Sequence, residues 1–198
     1  MASLDQLDAE SALRTLNRYG EIEEEAFMEL AAYAQPLDVS KGQLLVHQGD
    51  LSEDMYLVVR GAVRAFSVYG EKEFTDWFAL PDQFFCAITS YFTGQVSHHT
   101  YEVIVPGRLL KLQKSEVDKL LEKYRGFERI VREVVTETML FSCSQLISTR
   151  YMTAEERYHE ITTQYPSLLQ IVPLKHLASY LCVSPETLSR IRAKSLVS

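Results

Sequence analysis

Residues 173–194 read PLKHLASYLCVSPETLSRIRAK, and this stretch decides how the rest of the chain is understood. Leu174, Leu177, Ala178 and Leu181 recur at helical spacing, so the first half is a short helix with one apolar face and Pro173 in its first turn. Ser184 then offers an N-cap hydroxyl, and Pro185 lacks an N–H at a position where none is needed. A second helix therefore starts at Pro185. It buries Leu188 and Ile191 and leaves Glu186, Ser189, Arg190, Arg192 and Lys194 to an outside partner. Two short helices can be ordinary domain packing, but the connection Cys182-Val183-Ser184 has the length of the turn in a helix-turn-helix, whose second helix enters a DNA major groove.

Leu177–Arg192 resembles the helix-turn-helix of the Crp/Fnr transcription regulators. Within it, Glu186-Thr187-Leu188-Ser189-Arg190 matches the E-T-x-S-R recognition helix of the Fnr branch. The resemblance implies an α+β fold: an N-terminal antiparallel β-roll sensor over residues 1–114, a long dimerisation helix over 115–150, and a DNA-binding domain over 151–198. It also implies a homodimer, duplex DNA with TTGA-like half-sites in inverted repeat, and RNA polymerase as a candidate further partner. The DNA-contacting set carried over is Ser184, Glu186, Thr187, Ser189, Arg190, Arg192 and Lys194. Two departures stand out. Cys182 occupies a turn position where most members have Gly, and the sequence ends at Ser198 before the family's winged hairpin, so a domain without a complete wing is expected.

A hydrophobic fraction of 46% and a charged fraction of 24% over 198 residues fit a soluble chain of one or two domains. The start, MASLDQLDAE, has neither a basic nor an apolar leader segment, and no 18-residue apolar run follows, so a cytoplasmic protein without membrane contact is expected. Cys86, Cys143 and Cys182 show no metal-ligand spacing, which argues against disulfides, zinc and clustered iron–sulfur; no cofactor is implied. The net charge of −7 would disfavour nucleic acid if it were evenly spread. It is not: residues 151–198 hold five basic and four acidic side chains, a surplus of +1, which leaves −8 on the first 150. The small surplus predicts modest non-specific affinity for DNA.

Residues 9–33 carry a helical pattern broken near Gly20 and ended by Pro36. From Leu37 to Leu112 the pattern changes to short β-rich runs, LLVHQGD, MYLVVRG, AVRAFSVYG, EKEFTDWFAL and HHTYEVIV, with Gly42, Gly49, Gly61 and Gly70 at the expected turns. In cyclic-nucleotide binders of the same family a Gly-Glu pair opens a short helix, and an Arg follows about ten residues later to hold the phosphate. Here Phe85, Cys86, Ala87 and Ile88 occupy the first region and Ser97 stands at the Arg position. Apart from His98 and His99, no cationic side chain lies between Leu80 and Glu102. Desolvating a phosphate without a fixed cation is costly, so cyclic-nucleotide binding is expected to be lost. The effector pocket, if kept, comprises Phe85, Cys86, Ala87, Ile88, Ser97 and His98. The apolar segment of Phe84, Phe85, Ile88, Tyr91 and Phe92 is expected to plug it, with lining for an uncharged ligand as the alternative. His98 and His99, neighbours in a strand, would face opposite ways and share no metal. Cys86 in apolar surroundings is expected to be inert.

Residues 115–150 read as one helical stretch with Ser115 as N-cap and a bend at Gly126. Phe127, Ile130, Val131, Val134, Thr138, Phe141 and Gln145 recur every three or four residues, and the resemblance places the dimer seam along them. Val135, Met139 and Leu146 form a second apolar line. Thr153 caps a supporting helix with Glu155 and Glu156 in its first turn. No nucleophile elbow, P-loop, HExxH or paired-carboxylate motif points to an enzyme. The competing expectation is a β-roll module for small ligands or protein partners whose helix-turn-helix no longer binds DNA.

Overall fold

A computed structural model describes residues 4–166 and 168–195. Two helices open the chain, α1 (Gln6–Asn17) and α2 (Glu24–Tyr33), separated around Gly20 as the sequence indicates. Strands β1 (Gln35–Val39), β2 (Leu44–Val46), β3 (Asp54–Tyr69), β4 (Lys72–Ala79), β5 (Phe84–Cys86) and β6 (Thr100–Gln113) follow, with the short helix α3 (Ile88–Thr93) before the last. All pairings are antiparallel. The order β1-β6-β3-β4 makes β1 and β4 the edges, while β2 pairs with β6 and β5 with β3. Pro36 lies three residues past the end of α2, already inside β1, where an edge strand can spare one N–H.

The runs MYLVVRG and AVRAFSVYG, expected as two strands with a turn at Gly61, form the single strand β3. Gly61 marks an irregularity rather than a turn. Its φ is 96°, and the β3–β6 register shifts on both sides of it. There β3 and β6 approach so closely that a Cβ on Gly107 would lie 2.0 Å from the Arg60 carbonyl oxygen. Only glycine fits at such a contact.

Inside the roll, Tyr56 stacks on Phe85 with centroids 5.0 Å apart, and Phe85 stacks on Tyr101 at 5.9 Å. Trp77 meets both Phe85 and Tyr101 edge-on. Together with Val58, Val63, Ala65 and Val103 these rings close the interior. The N-terminal helices are pinned outside it by ions: Arg108 on β6 reaches the buried Asp8 at 3.0 Å and Asp38 at 2.7 Å, and Arg14 reaches Asp82 at 2.7 Å.

The stretch expected as one helix is two, α4 (Lys114–Lys123) and α5 (Arg125–Tyr151). The break falls at Tyr124, which is extended at φ −123° and ψ 111°, and not at Gly126. Ser115 is not the cap either. Gln113 caps α4 through a reciprocal box with Glu116. Gly126 has a different use: its N–H donates to the Glu23 carboxylate at 3.3 Å, and a Cβ there would meet that carboxylate at 2.8 Å. Helix α6 (Ala154–Gln164) carries the expected Thr153–Glu156 capping box, and α7 (Leu168–Ile171), α8 (Leu174–Tyr180) and α9 (Pro185–Ser195) complete the chain. Among the described residues no helix is long and apolar enough to cross a membrane, and no group of three or more His, Cys, Asp or Glu side chains could hold a metal ion.

Candidate nucleic-acid interface and effector cleft

Helices α8 and α9 meet in the arrangement the sequence implies. The end of α8 is closed by two reversed bonds, Val183 N–H to the Ala178 carbonyl and Cys182 N–H to the Ser179 carbonyl, both 3.0 Å. This motif requires a left-handed residue between them, and Cys182 supplies it at φ 55°. Pro173 precedes α8 as its N-cap instead of entering its first turn. The Ser184 hydroxyl accepts from the Thr187 N–H at 3.2 Å and so caps α9. Leu188 and Ile191 are buried, as are Leu177 and Leu181 opposite them.

The outward face of α9 presents Glu186, Ser189, Arg190, Arg192 and Lys194, all exposed, with Thr187 half-buried. The Arg190 guanidinium donates to Thr187 Oγ1 at 3.2 Å. The Ser184 hydroxyl, the helix N–H groups and Arg190 hold the Glu186 carboxyl below its ordinary pKa, so it is an acceptor at neutral pH. Lys194 is not a lone cation; its ammonium lies 2.7 Å from Glu155. A residue the sequence reading counted only as charge is structural. Arg157 donates to the carbonyls of Met152 and Leu181, both at 2.7 Å, and so ties the end of α5 to the end of α8.

The helix-turn-helix is packed on the roll. Ala62, Leu80 and Ile104 share one core with Leu177, Ala178, Leu181 and Leu188, and the rings of Phe78 and Tyr180 lie 5.4 Å apart. Buried Arg64 sits at this junction, bonded to Glu102 at 2.6 Å and Glu73 at 2.7 Å, with its guanidinium 3.9 Å from the Phe66 ring centroid. His176 of α8 is buried nearby. Burial first, then the charges of Arg64 and Lys175, push its pKa down to about 4.

The pocket residues expected from sequence divide into two groups. Phe85, Cys86 and Ile88 line a cleft of about 740 Å3 between β4, β5, α5 and the C-terminal helices. Ala87, Ser97 and His98 do not line it. Ala87 is buried ahead of α3. The Ser97 hydroxyl donates to the His99 carbonyl at 2.8 Å while its backbone clips the Gly49 turn, and His98 is exposed. His98 and His99 also precede β6 rather than lying in a strand, and His99 Nε2 faces Asp76 at 3.2 Å. The expected plug forms only in part: Phe85 and Tyr91 are buried, whereas Ile88 and Phe92 remain exposed. Burial pushes the Cys86 thiol up to about 12, which fits an inert cysteine. Trp77 and Phe78, also lining the cleft, gave only a strand pattern in the sequence, whereas Phe84, a further lining residue, belongs to the apolar segment expected there.

The expected seam residues lie on the inner side of α5. Phe127 and Ile130 are 3% and 0% exposed within this chain's own core. Val131, Val134, Thr138, Phe141 and Gln145 line the cleft. The opposite side carries Leu140, Leu146, Ile147 and Tyr151, exposed by 59 to 79%, with Val135 and Met139 between the two faces. Burial against the chain's own roll produces the same three-and-four periodicity as a twin helix would.

A β-roll, a long helix and a helix-turn-helix packed against the roll make up the described chain. Residues 36–124 match the cyclic nucleotide-binding domain family. The chain is similar to FixK2 from Bradyrhizobium japonicum, with a TM-score of 0.70 at 18% identity over 81% of this chain and 83% of that one. A CooA variant from Carboxydothermus hydrogenoformans gives 0.70 at 16% identity over 92% and 82%. A protein of Eubacterium rectale assigned to the crp/fnr family gives 0.70 at 12% identity over 93% and 88%. No curated protein matches the sequence significantly. The chain shares the fold of these proteins, and the residues that match the cyclic nucleotide-binding domain family include most of its roll.

Proposed function

We propose that this protein is a homodimeric DNA-binding transcription regulator that reads an inverted-repeat duplex with α9 and does not recognise cyclic nucleotides by a phosphate cassette. The observation that carries the reading is the outward row of Glu186, Ser189 and Arg190 on the first turns of a helix whose other side is anchored by Leu188 and Ile191. Arg190 has the geometry to pair bidentately with guanine, and ionised Glu186 accepts from a cytosine amino group. By resemblance to the Fnr branch the half-site is TTGA-like. Arg192 and Lys194 lie further along the helix and suit phosphate contacts, Lys194 by exchanging Glu155 for DNA. Binding of this kind is strongly salt-dependent.

Support for a dimer comes from the outer face of α5, where Leu140, Ile147 and Tyr151 lie on one stripe of the helix with no cover in the single chain. A second α5 covers it by two-fold symmetry and sets two copies of α9 on one side of a duplex. Loss of nucleotide recognition is supported by the filled roll interior, by Ser97 at the Arg position and by Ala87, which offers α3 no side-chain cap. This is a binding protein of the cytoplasm, with RNA polymerase as its candidate further partner, and not an enzyme.

The test is selection of binding sites from a random duplex pool with the whole protein and with Arg190→Ala. An inverted repeat is expected to emerge, and Arg190→Ala is expected to cost about 1–3 kcal/mol on it with little change on random DNA. No enriched repeat, or one whose preference survives the loss of Arg190, overturns the reading in favour of a module that does not read DNA.

A further inference from the structure

The cleft beside α5 is separate from the roll interior, which Tyr56, Phe85 and Tyr101 fill by stacking. Its volume of about 740 Å3 is that of a small-molecule site. Its walls are apolar: Trp77, Phe84 and Phe92 on the roll side, and Val131, Val134 and Phe141 on α5. It is also long. One end reaches Leu16 of α1 and Tyr19 just beyond it, and the other reaches Tyr165, Leu168 and Tyr180 in the C-terminal part of the chain.

Charge restricts the occupant further. Among the described residues neither lysine nor arginine lines the cleft, and its two carboxylates are Asp76 and Glu137. Both are engaged from the side: Asp76 accepts from the Ser67 hydroxyl at 2.9 Å and faces His99, and Glu137 accepts from the Tyr19 hydroxyl, with Arg18 at 3.8 Å. An anion placed here would lose its water and meet two carboxylates, with His99, already facing Asp76, as the one imidazole among the described lining residues. A strongly hydrated cation would have to break both arrangements. The Thr138 and Ser142 hydroxyls donate to carbonyls of their own helix and keep lone pairs, and Gln145 adds a side-chain amide, for one neutral polar group.

We propose that this cleft binds a neutral, elongated and mostly apolar small molecule bearing a single hydrogen-bonding group, such as an alcohol, amide or ketone. Held there, it touches the roll, α5 and the helix-turn-helix domain together. The regulatory meaning of the site rests on the function proposed above, but the binding itself does not, so the two can fail independently.

The test uses the whole protein and the neutral fluorophore N-phenyl-1-naphthylamine, with decanol, decanoate and cyclic AMP as competitors. Saturable probe binding is expected, displaced by decanol, at least about tenfold less well by decanoate, and not by cyclic AMP. Val134→Trp fills the cleft from α5 and is expected to weaken probe binding by about tenfold or more. Ser142→Trp does the same from an exposed rim position where folding is not at stake. Absence of saturable binding, equal competition by decanoate, or unchanged binding in Ser142→Trp overturns the proposal. So does probe binding that disappears as protein concentration drives dimer formation, because the cleft would then seat the helix of a second copy. A chain that takes up the probe but selects no DNA keeps this inference and loses the proposed function.

Discussion

The hydroxyl of Ser179 on α8 bridges the backbone of β4: it accepts from the Thr75 N–H at 2.9 Å and donates to the Glu73 carbonyl at 3.1 Å. Both groups lie on the free side of an edge strand, so a single side chain of the helix-turn-helix satisfies two backbone groups of the roll. Ser179→Ala leaves both without their protein partner and is expected to destabilise by about 1–3 kcal/mol. Hydrogen exchange at the Thr75 amide is the sharper readout. Unchanged protection there would mean the bridge contributes nothing.

The turn makes a second expectation. Cys182 is exposed and left-handed, a conformation that costs a side-chain-bearing residue about 1 kcal/mol or more. Cys182→Gly removes that strain and loosens the unfolded chain, so the melting temperature is expected to rise slightly or stay level. A clear drop would show that the side chain itself contributes to the turn.

Oligomeric state tests the face of α5. Leu140→Glu or Ile147→Glu places a charge where the proposed twin helix packs, at a cost of several kcal/mol to association and almost none to the monomer fold, since both positions are exposed. Sedimentation is expected to show a folded monomer. A dimer mass retained in both variants would put the interface elsewhere.

His176 gives the junction a pH dependence. Its folded pKa of about 4 lies below the ordinary 6.5, so the folded state resists a proton that the unfolded state takes. The stability present above pH 6.5 is therefore expected to fall progressively as the pH drops toward 4. The groups facing it are Arg64 and Lys175, which disfavour the proton, and Glu73 and Glu102, which favour it. His176→Gln is expected to flatten the fall in melting temperature between pH 7 and 4.5, and an identical slope in the variant would assign the dependence to other groups.

Cyclic AMP and cyclic GMP are expected to show no isotherm stronger than millimolar by calorimetry, because the Arg position is Ser97 and Ala87 offers α3 no capping side chain. A micromolar isotherm would mean that another cation reaches the roll.

The helix-turn-helix was readable from sequence because its signals are local: a cap hydroxyl, a proline, two buried positions and a turn of fixed length. Even the strained residue could be placed, since Cys182 stands where a motif needs positive φ. The roll was readable as a class, but Gly61 looked like a turn because a bulge and a turn ask the same thing of a glycine. Less legible is which surface a residue meets. Phe127 and Phe141 have the spacing of a seam whether they face a twin helix or their own roll, and periodicity carries no label for the partner. Tyr124 ends a helix without proline or glycine, through packing that only the folded chain displays. Ser97 and His98 occupy the right place in the sequence for a pocket, yet their loop turns them to the Gly49 corner and to solvent.

The two free edges of the sheet are guarded by different means. Pro36 blunts β1 from within, whereas β4 carries no proline and relies on α8 and its Ser179 bridge. Beside it the hairpin tip exposes Val68, Tyr69 and Phe74. A roll that releases α8, by truncation or by movement, presents an open apolar strand to any other unpaired strand in solution. Cutting the chain before Leu174 is therefore expected to yield a roll that aggregates on concentration, so the helix-turn-helix also keeps the roll soluble.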